Sequence, residues 1–347
     1  AKEQCGALYN RSVAQFPPPG LDSDDSFFAR ESKIDYEKGI FGRKYVGIMP
    51  SGKTKAMMEI RAISAMLQTV KNMDLPDNIK DKYWTLTVYF NSLKDLGKCT
   101  TLVEDDVKDF IKRMVYRTGT TKDARTITSA DELTSRVSTT DLNETLDKLE
   151  KTEYSKENIE NKKYASNIVL ATNMISVGID ISRLNVMLMV GQPKLTSEYI
   201  QASSRVGRKW PGVVFTQYDG SKSRDRSLYE QFKSYHESFY KYVEPTGATP
   251  FSKPARDRSL HAIVITLLRL LEPSLSDEKA ARDFTIEKSA QRIESIKKQI
   301  MERNKEVMKK IYKSIEDDSA ETSNEIDNML KTWENRAKEF TESNGNF

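Results

Sequence analysis

Short apolar runs bounded by polar or small residues punctuate the chain at 45–48, 85–92 (TLTVYFNS), 168–171, 186–190 and 213–217. The run at 186–190 is continuously hydrophobic, as expected of a strand buried on both faces of a parallel sheet. Longer stretches of helical character lie between the runs, at 55–72, in LKDLGKC, over about 140–151 and over about 196–206. Strand, polar turn, strand and helix, with polar residues at the element ends, predict an open α/β sheet with a ligand crevice. Residues 117–131 are polar and read as a loop.

The ends of the chain follow other patterns. Residues 1–40 read as a linker leading into the fold, with a stiff Pro17-Pro18-Pro19-Gly20 stretch, then acidic residues around Phe27 and Phe28, expected to dock as an apolar anchor. The segment 227–252 is unusually aromatic; Tyr229, Phe232, Tyr235, Phe239, Tyr240 and Tyr242 suit a helix packed on the sheet, with base stacking as the alternative. Residues 259–271 (SLHAIVITLLRLL) predict a buried helix. Beyond Pro273, Ile286, Ile293, Ile300 and Val307 recur every seven residues, and Ile326, Trp333 and Phe340 resume the repeat after a polar break at 317–324. Two long amphipathic helices follow, as an antiparallel hairpin or coiled-coil arm. Their narrow seam fits either an arm packed lengthwise or a solvated spacer. The expected organisation is a linker over 1–40, an α/β domain over 41–256 and a helical extension over 257–347.

The densest chemistry lies in 167–208, NIVLATNMISVGIDISRLNVMLMVGQPKLTSEYIQASSRVGR. ATNMISVGIDI resembles motif V of superfamily 2 helicases, and QASSRVGR, about 20 residues on, resembles their motif VI, QxxGRxGR. Ser204 departs from that pattern, standing where it has its first glycine. The resemblance implies a RecA-like parallel sheet with helices on both faces, the second motor domain of a helicase, plus the C-terminal helical arm. Hydrolysis of a nucleoside triphosphate needs positive charge at the γ-phosphate, and an arginine supplied across a cleft is worth roughly 10³–10⁵ in rate. Arg205 and Arg208, three apart on one expected helix face, are the candidate catalytic pair. The resemblance puts Gly178, Asp180 and Gln201 at the nucleotide, which would be ATP with Mg²⁺. Thr172 and Asn173 suit a grip on nucleic-acid phosphate that reads no sequence. Asn91 and Ser92, closing the 85–92 run, resemble motif IV. Residues 132–138 resemble motif IVa, making Thr134, Ser135 and Arg136 candidate phosphate contacts; a solvated loop explains that stretch equally well.

A second motif competes. Residues 47–54, GIMPSGKT, fit the P-loop pattern G-x-x-x-x-G-K-[ST]. The strand before it is short, Pro50 interrupts the amide-rich loop, and TLVEDD (101–106), the nearest Walker B candidate, reads as a helix start. A first RecA-like domain needs roughly 150 residues, and about 120 separate Lys53 from motif V. A strand–turn–helix of the second domain is therefore the expectation here, and a self-contained ATPase using Lys53 and Thr54 the alternative.

Composition adds limits. With 37% hydrophobic and 31% charged residues among 347, the chain suits a globular fold, and 55 basic against 51 acidic residues leave a net +4. Nucleic-acid contact must therefore come from local patches. Cys5 and Cys99 offer neither a disulfide framework nor metal spacing, and His236 and His261 lie far from any cysteine pair. Two cysteines fit a reducing cytoplasm, and no apolar run is long enough to span a membrane. The chain begins at Ala1 and is expected to be the C-terminal part of a longer protein.

FPPPG-LDSDDSFFARE, VGQPKLTSEYIQASSRVGR and the 227–262 segment together resemble the DrmA-type helicases of bacterial DISARM anti-phage systems. That resemblance implies an ATP-dependent DNA helicase or translocase. Its first RecA-like domain would lie upstream, and its partners would include a DrmB-type protein and a DNA methyltransferase. A non-catalytic RecA-like scaffold and an RNA helicase are the rival readings.

Overall fold

The computed structural model describes residues 2–14, 16, 27–28, 33–119, 124–173, 181–244, 249–309 and 318–342. In chain order its main elements are α1 (Lys2–Tyr9), β1 (Arg43–Ile48), α2 (Lys55–Asn72), α3 (Asp77–Trp84), β2 (Leu86–Phe90), α4 (Leu93–Leu102), α5 (Lys108–Thr118), β3 (Asp131–Leu133), α6 (Thr139–Lys151), α7 (Lys156–Glu160), β4 (Ile168–Ala171), β5 (Val186–Val190), α8 (Thr196–Ser203), β6 (Gly212–Gln217), α9 (Ser223–Glu230), α10 (Phe232–Glu237), α11 (Lys253–Leu271), α12 (Ala290–Val307) and α13 (Ser319–Glu342). They fall into two compact units, 30–244 and 1–29 with 245–347.

In the larger unit six strands form one sheet in the order β1-β6-β5-β2-β4-β3, every pair parallel. Side chains alternate across a strand. Leu86, Val88, Phe90, Leu170, Leu188 and Val190 therefore point to one face, against Ile63 and Leu67 of α2, Leu96 of α4 and Ile111 of α5. Tyr89, Val169, Ala171, Met187 and Met189 point to the other, against Leu149 of α6, Tyr199 and Ala202 of α8 and Tyr235 of α10. Both layers are needed because these strands are buried throughout.

Four expectations need correction. The helix after β5 stops at Ser203, so Arg205 and Arg208 do not share a helix face but lie in the turns that follow. The stretch read as a loop up to 131 ends in a strand, β3, too short and acidic (DEL) to show in the hydrophobic pattern. Phe27 and Phe28 are not a docked anchor: they are 70% and 73% exposed and cluster edge-on with each other and with Phe16. The aromatic segment, expected as one helix, breaks at Gln231 into α9 and α10.

The second unit packs α11, α12 and α13 around Leu260, Val264, Leu268, Ile293, Ile296, Ile300, Ile326 and Leu330. Arg256 of α11 reaches α13 through Glu325 (Nε–Oε2 2.8 Å) and the residue before it, Asp318 (Nη1–Oδ2 2.6 Å). Lys297 of α12 binds Asp327 of α13 at 2.7 and 2.8 Å.

Candidate functional site

An all-parallel sheet gathers every strand's C-terminal end on one edge and every N-terminal end on the other. Strands of five or six residues at about 3.3 Å per residue separate the two edges by roughly 17–20 Å. The candidate residues divide between them.

At the C-terminal edge, β2, β4 and β3 are neighbours, so Asn91 and Ser92, Thr172 and Asn173, and Thr134–Arg136 emerge side by side. Asn91 and Asn173 are exposed. The Asn91 amide donates to Gly191 O at 3.0 Å, which ties β2's end to the turn after β5. Gly191 sits at φ +91°, a conformation that disfavours any side chain there. The Ser92 hydroxyl is engaged at home: it caps α4, accepting from Asp95 N at 3.2 Å. Thr172 is buried at the strand end, its N–H donating to Leu133 O at 3.5 Å. Thr134 is also buried, with its hydroxyl on Glu132. The Arg136 guanidinium grips both Glu132 oxygens at 2.6 Å. Burial alone would raise the Glu132 carboxyl, but the hydrogen bonds from Arg136 and Thr134 hold it below its ordinary value. Of the 134–136 trio, Ser135 and Arg136 face outward, while Thr134 faces in.

The motif VI turn lies at the opposite edge, where β1, β5 and β6 begin. Arg43 at the start of β1 donates through Nε to Val206 O at 2.5 Å, and Gly42 O accepts from Gly212 N at 3.3 Å. Asn185, wholly buried just before β5, accepts from Gly207 N at 3.2 Å and donates to Lys82 O at 3.0 Å. Val213 N donates to the Asn185 carbonyl at 2.9 Å. Asn185 thus positions the turn, and no pattern in the sequence singled it out.

Gly207 takes φ +70°, and a Cβ there would meet the Gly212 Cα at 2.8 Å. The second glycine of motif VI is therefore required by backbone and by space. Ser204, at φ −69° and ψ −8°, is ordinary right-handed backbone, and its hydroxyl donates to Gln201 O at 2.9 Å. The departure from the motif's first glycine thus costs this fold nothing in backbone conformation. Arg205 is half-buried, Arg208 is exposed, and Arg208 Nε lies 3.4 Å from Ser204 O. Gln201 is exposed on α8 one turn upstream. Gly178 and Asp180 lie outside the described residues.

The P-loop-like segment has structural reasons for its glycines. Gly47 is inside β1, and a Cβ on it would lie 2.8 Å from the Phe232 ring; Gly52 takes φ +64°. Thr54 caps α2 by accepting from Met57 N at 3.2 Å. β1 is an edge strand with β6 as its one neighbour, and residues 101–106 are helical. This geometry is that of a strand–turn–helix. Among the described residues no group of three or more His, Cys, Asp or Glu side chains could hold a metal, and no helix is long and apolar enough to cross a membrane. His236 is half-buried among aromatics, its Nε2 2.9 Å from the Tyr199 hydroxyl, and desolvation holds its pKa below the ordinary value.

Residues 99–209 match the helicase conserved C-terminal domain. Over 342 residues, 97% of the chain, the sequence is 40% identical to the DISARM protein DrmA of Bacillus paralicheniformis, of which the match covers 28%. The chain thus spans under a third of the curated relative it matches. Among solved structures it is similar to the DUF1998 helicase MrfA bound to DNA, at 14% identity and TM-score 0.42 over 65% of this chain and 25% of that one. It is also similar to Mss116p DEAD-box helicase domain 2 bound to an RNA duplex, at 14% identity and TM-score 0.36 over 67% and 78%. Sheet, motif spacing and the matched domain agree: residues 99–209 carry the helicase conserved C-terminal domain, the second RecA-like domain of superfamily 2, and nearly the whole chain is similar to DrmA of DISARM systems.

Proposed function

We propose that this chain is the C-terminal motor half of an ATP-dependent DNA helicase or translocase that serves a DISARM-type anti-phage system in the cytoplasm. The observation that carries the reading is the division of motif residues between two edges of one parallel sheet. One edge offers Asn91, Asn173, Ser135 and Arg136 to a nucleic-acid backbone. The other offers Arg205, Arg208 and Gln201 to a nucleotide, with Gly178 and Asp180 assigned there by their motif alone.

ATP with Mg²⁺ would be held mainly by a P-loop domain upstream in the same protein. A bound nucleotide supplies the scissile phosphoanhydride. This chain supplies two guanidinium groups on a turn fixed by Gly207, Asn185 and Arg43, so little reorganisation accompanies their approach to developing charge. Closing of the two motor domains around ATP and reopening after hydrolysis would shift the C-terminal edge along one DNA strand. Binding through phosphates makes affinity largely indifferent to sequence and steeply dependent on salt. A DrmB-type protein is the expected partner.

The edges are separable by mutation in the chain joined to its upstream half. Asn91→Ala with Arg136→Glu should weaken single-stranded DNA binding about tenfold or more, while ATP binding is retained. Arg205→Ala with Arg208→Ala should abolish turnover yet leave DNA affinity in the absence of nucleotide within about twofold. Loss of both functions in both variants would contradict the two-edge assignment.

A further inference from the structure

The seven-residue repeat of α13 does not stay buried along its length. Where α13 runs past the beginning of α12, Trp333, Arg336, Ala337 and Phe340 occupy one helix face at i, i+3, i+4 and i+7. With Lys279, Ala281 and Arg282 from the turn between α11 and α12, they line a cavity of about 430 Å³ that is open to solvent. The stripe read from the sequence as a core seam thus ends in a pocket.

Its chemistry is consistent. Among the described residues three cations line the pocket and no carboxylate does. Lys279 and Arg336 make no ion pair among the described residues, and Arg282 meets only Asp283, at 4.0 Å with both side chains at least half exposed. The indole is fixed before any ligand arrives. One face of Trp333 stacks on Phe284 at 3.9 Å and 13°, and Nε1 donates to Ala281 O at 2.8 Å. Phe284 is itself buried. A fixed aromatic surface beside three cations, two of them without an ion pair among the described residues, suits a ligand that carries a flat π-face and an anion together. Single-stranded nucleic acid has both in every nucleotide, and stacking with cationic support is how sequence-tolerant proteins hold it. The volume falls in the usual range for a small-molecule-sized guest, enough for about one nucleotide.

We propose that this pocket is a second nucleic-acid contact, outside the motor sheet, in which one base of a single strand stacks at Trp333 while Lys279, Arg282 and Arg336 meet its phosphates. The inference rests on the proposed function in that the chain must handle a single strand at all.

The test uses the whole chain and an oligodeoxythymidine carrying iododeoxyuridine. Irradiation should attach the oligonucleotide at Trp333, and Lys279→Glu with Arg336→Glu should lower affinity about tenfold. These exposed positions leave the Phe284–Trp333 stack intact, which unchanged circular dichroism would verify. Unchanged affinity in that variant, with cross-links confined to the sheet edge around Asn91 and Asn173, would overturn the pocket while leaving the motor reading in place. Absence of any binding to single strands would overturn both. Capture of polyglutamate with no cross-link at Trp333 would overturn the nucleic-acid assignment in favour of an acidic protein partner.

Discussion

At the scale of single residues, charge burial and backbone conformation make opposite demands. Glu59 of α2 is buried, and burial raises its pKa to about 7 despite Lys55 at 3.8 Å. A carboxyl whose folded pKa exceeds its unfolded value of 4.5 loses stability as pH rises. Between about 4.5 and 7 the folded state holds more protons than the unfolded one, and above 7 the full cost of the buried charge is present. Glu59→Gln should therefore raise stability at pH 8 by about 1–3 kcal/mol and leave it little changed at pH 4.5, read by urea denaturation at both values. In motif VI the prediction comes from φ. Gly207→Ala forces a side chain into left-handed backbone against Gly212 and should cost about 1–3 kcal/mol. Ser204→Gly, which restores the helicase pattern, should cost less than about 1 kcal/mol, because no left-handed conformation awaits it.

Among elements, legibility followed burial. β2, β4 and β5 are covered on both faces, so β4 and β5 are unbroken hydrophobic runs and β2 is interrupted only by the buried Thr87, which makes all three legible in the sequence. α2, expected over about 55–72, is found at Lys55–Asn72, where the cap residue Thr54 and the apolar period agree. β3 was invisible because its three residues, DEL, make a strand only by pairing with β4. The end of α8 was misread because Arg205 and Val206 continue its apolar and basic pattern. Tertiary contacts decide there instead: Asn185 takes the Gly207 amide, Arg43 takes the Val206 carbonyl, and neither is a local signal. The candidate contacts at strand ends were found because polar residues closing hydrophobic runs stand out. Ser92 and Thr134 show the limit of that signal, since capping and burial also recruit hydroxyls. In the helical unit Arg256 is buried and bound to Asp318 and Glu325. Arg256→Ala removes the one buried cation between those carboxylates among the described residues, leaving Glu325 only the exposed Lys253 at 3.5 Å and Asp318 only the Asn304 amide, and should destabilise the packing of α13 on α11 by about 1–3 kcal/mol. Hydrogen exchange should locate that loss in 253–342, with the sheet's protection unchanged.

At the scale of the whole molecule, we propose that half of an ATPase site is built here, on a turn held by Asn185, Arg43 and Gly212. The edge that carries Arg205 and Arg208 has cations and a glycine turn, whereas the P-loop-like segment lies at the opposite edge, on an edge strand, with its threonine engaged in capping α2. Nucleotide turnover should therefore need a second domain. The most direct measurement is ATP hydrolysis, with and without single-stranded DNA, by this chain alone and by the chain joined to its upstream half. Activity is expected in the joined protein only, falling by about 10³ or more on Arg208→Ala and unaffected by Lys53→Ala. Hydrolysis by the isolated chain that disappears with Lys53→Ala would contradict it.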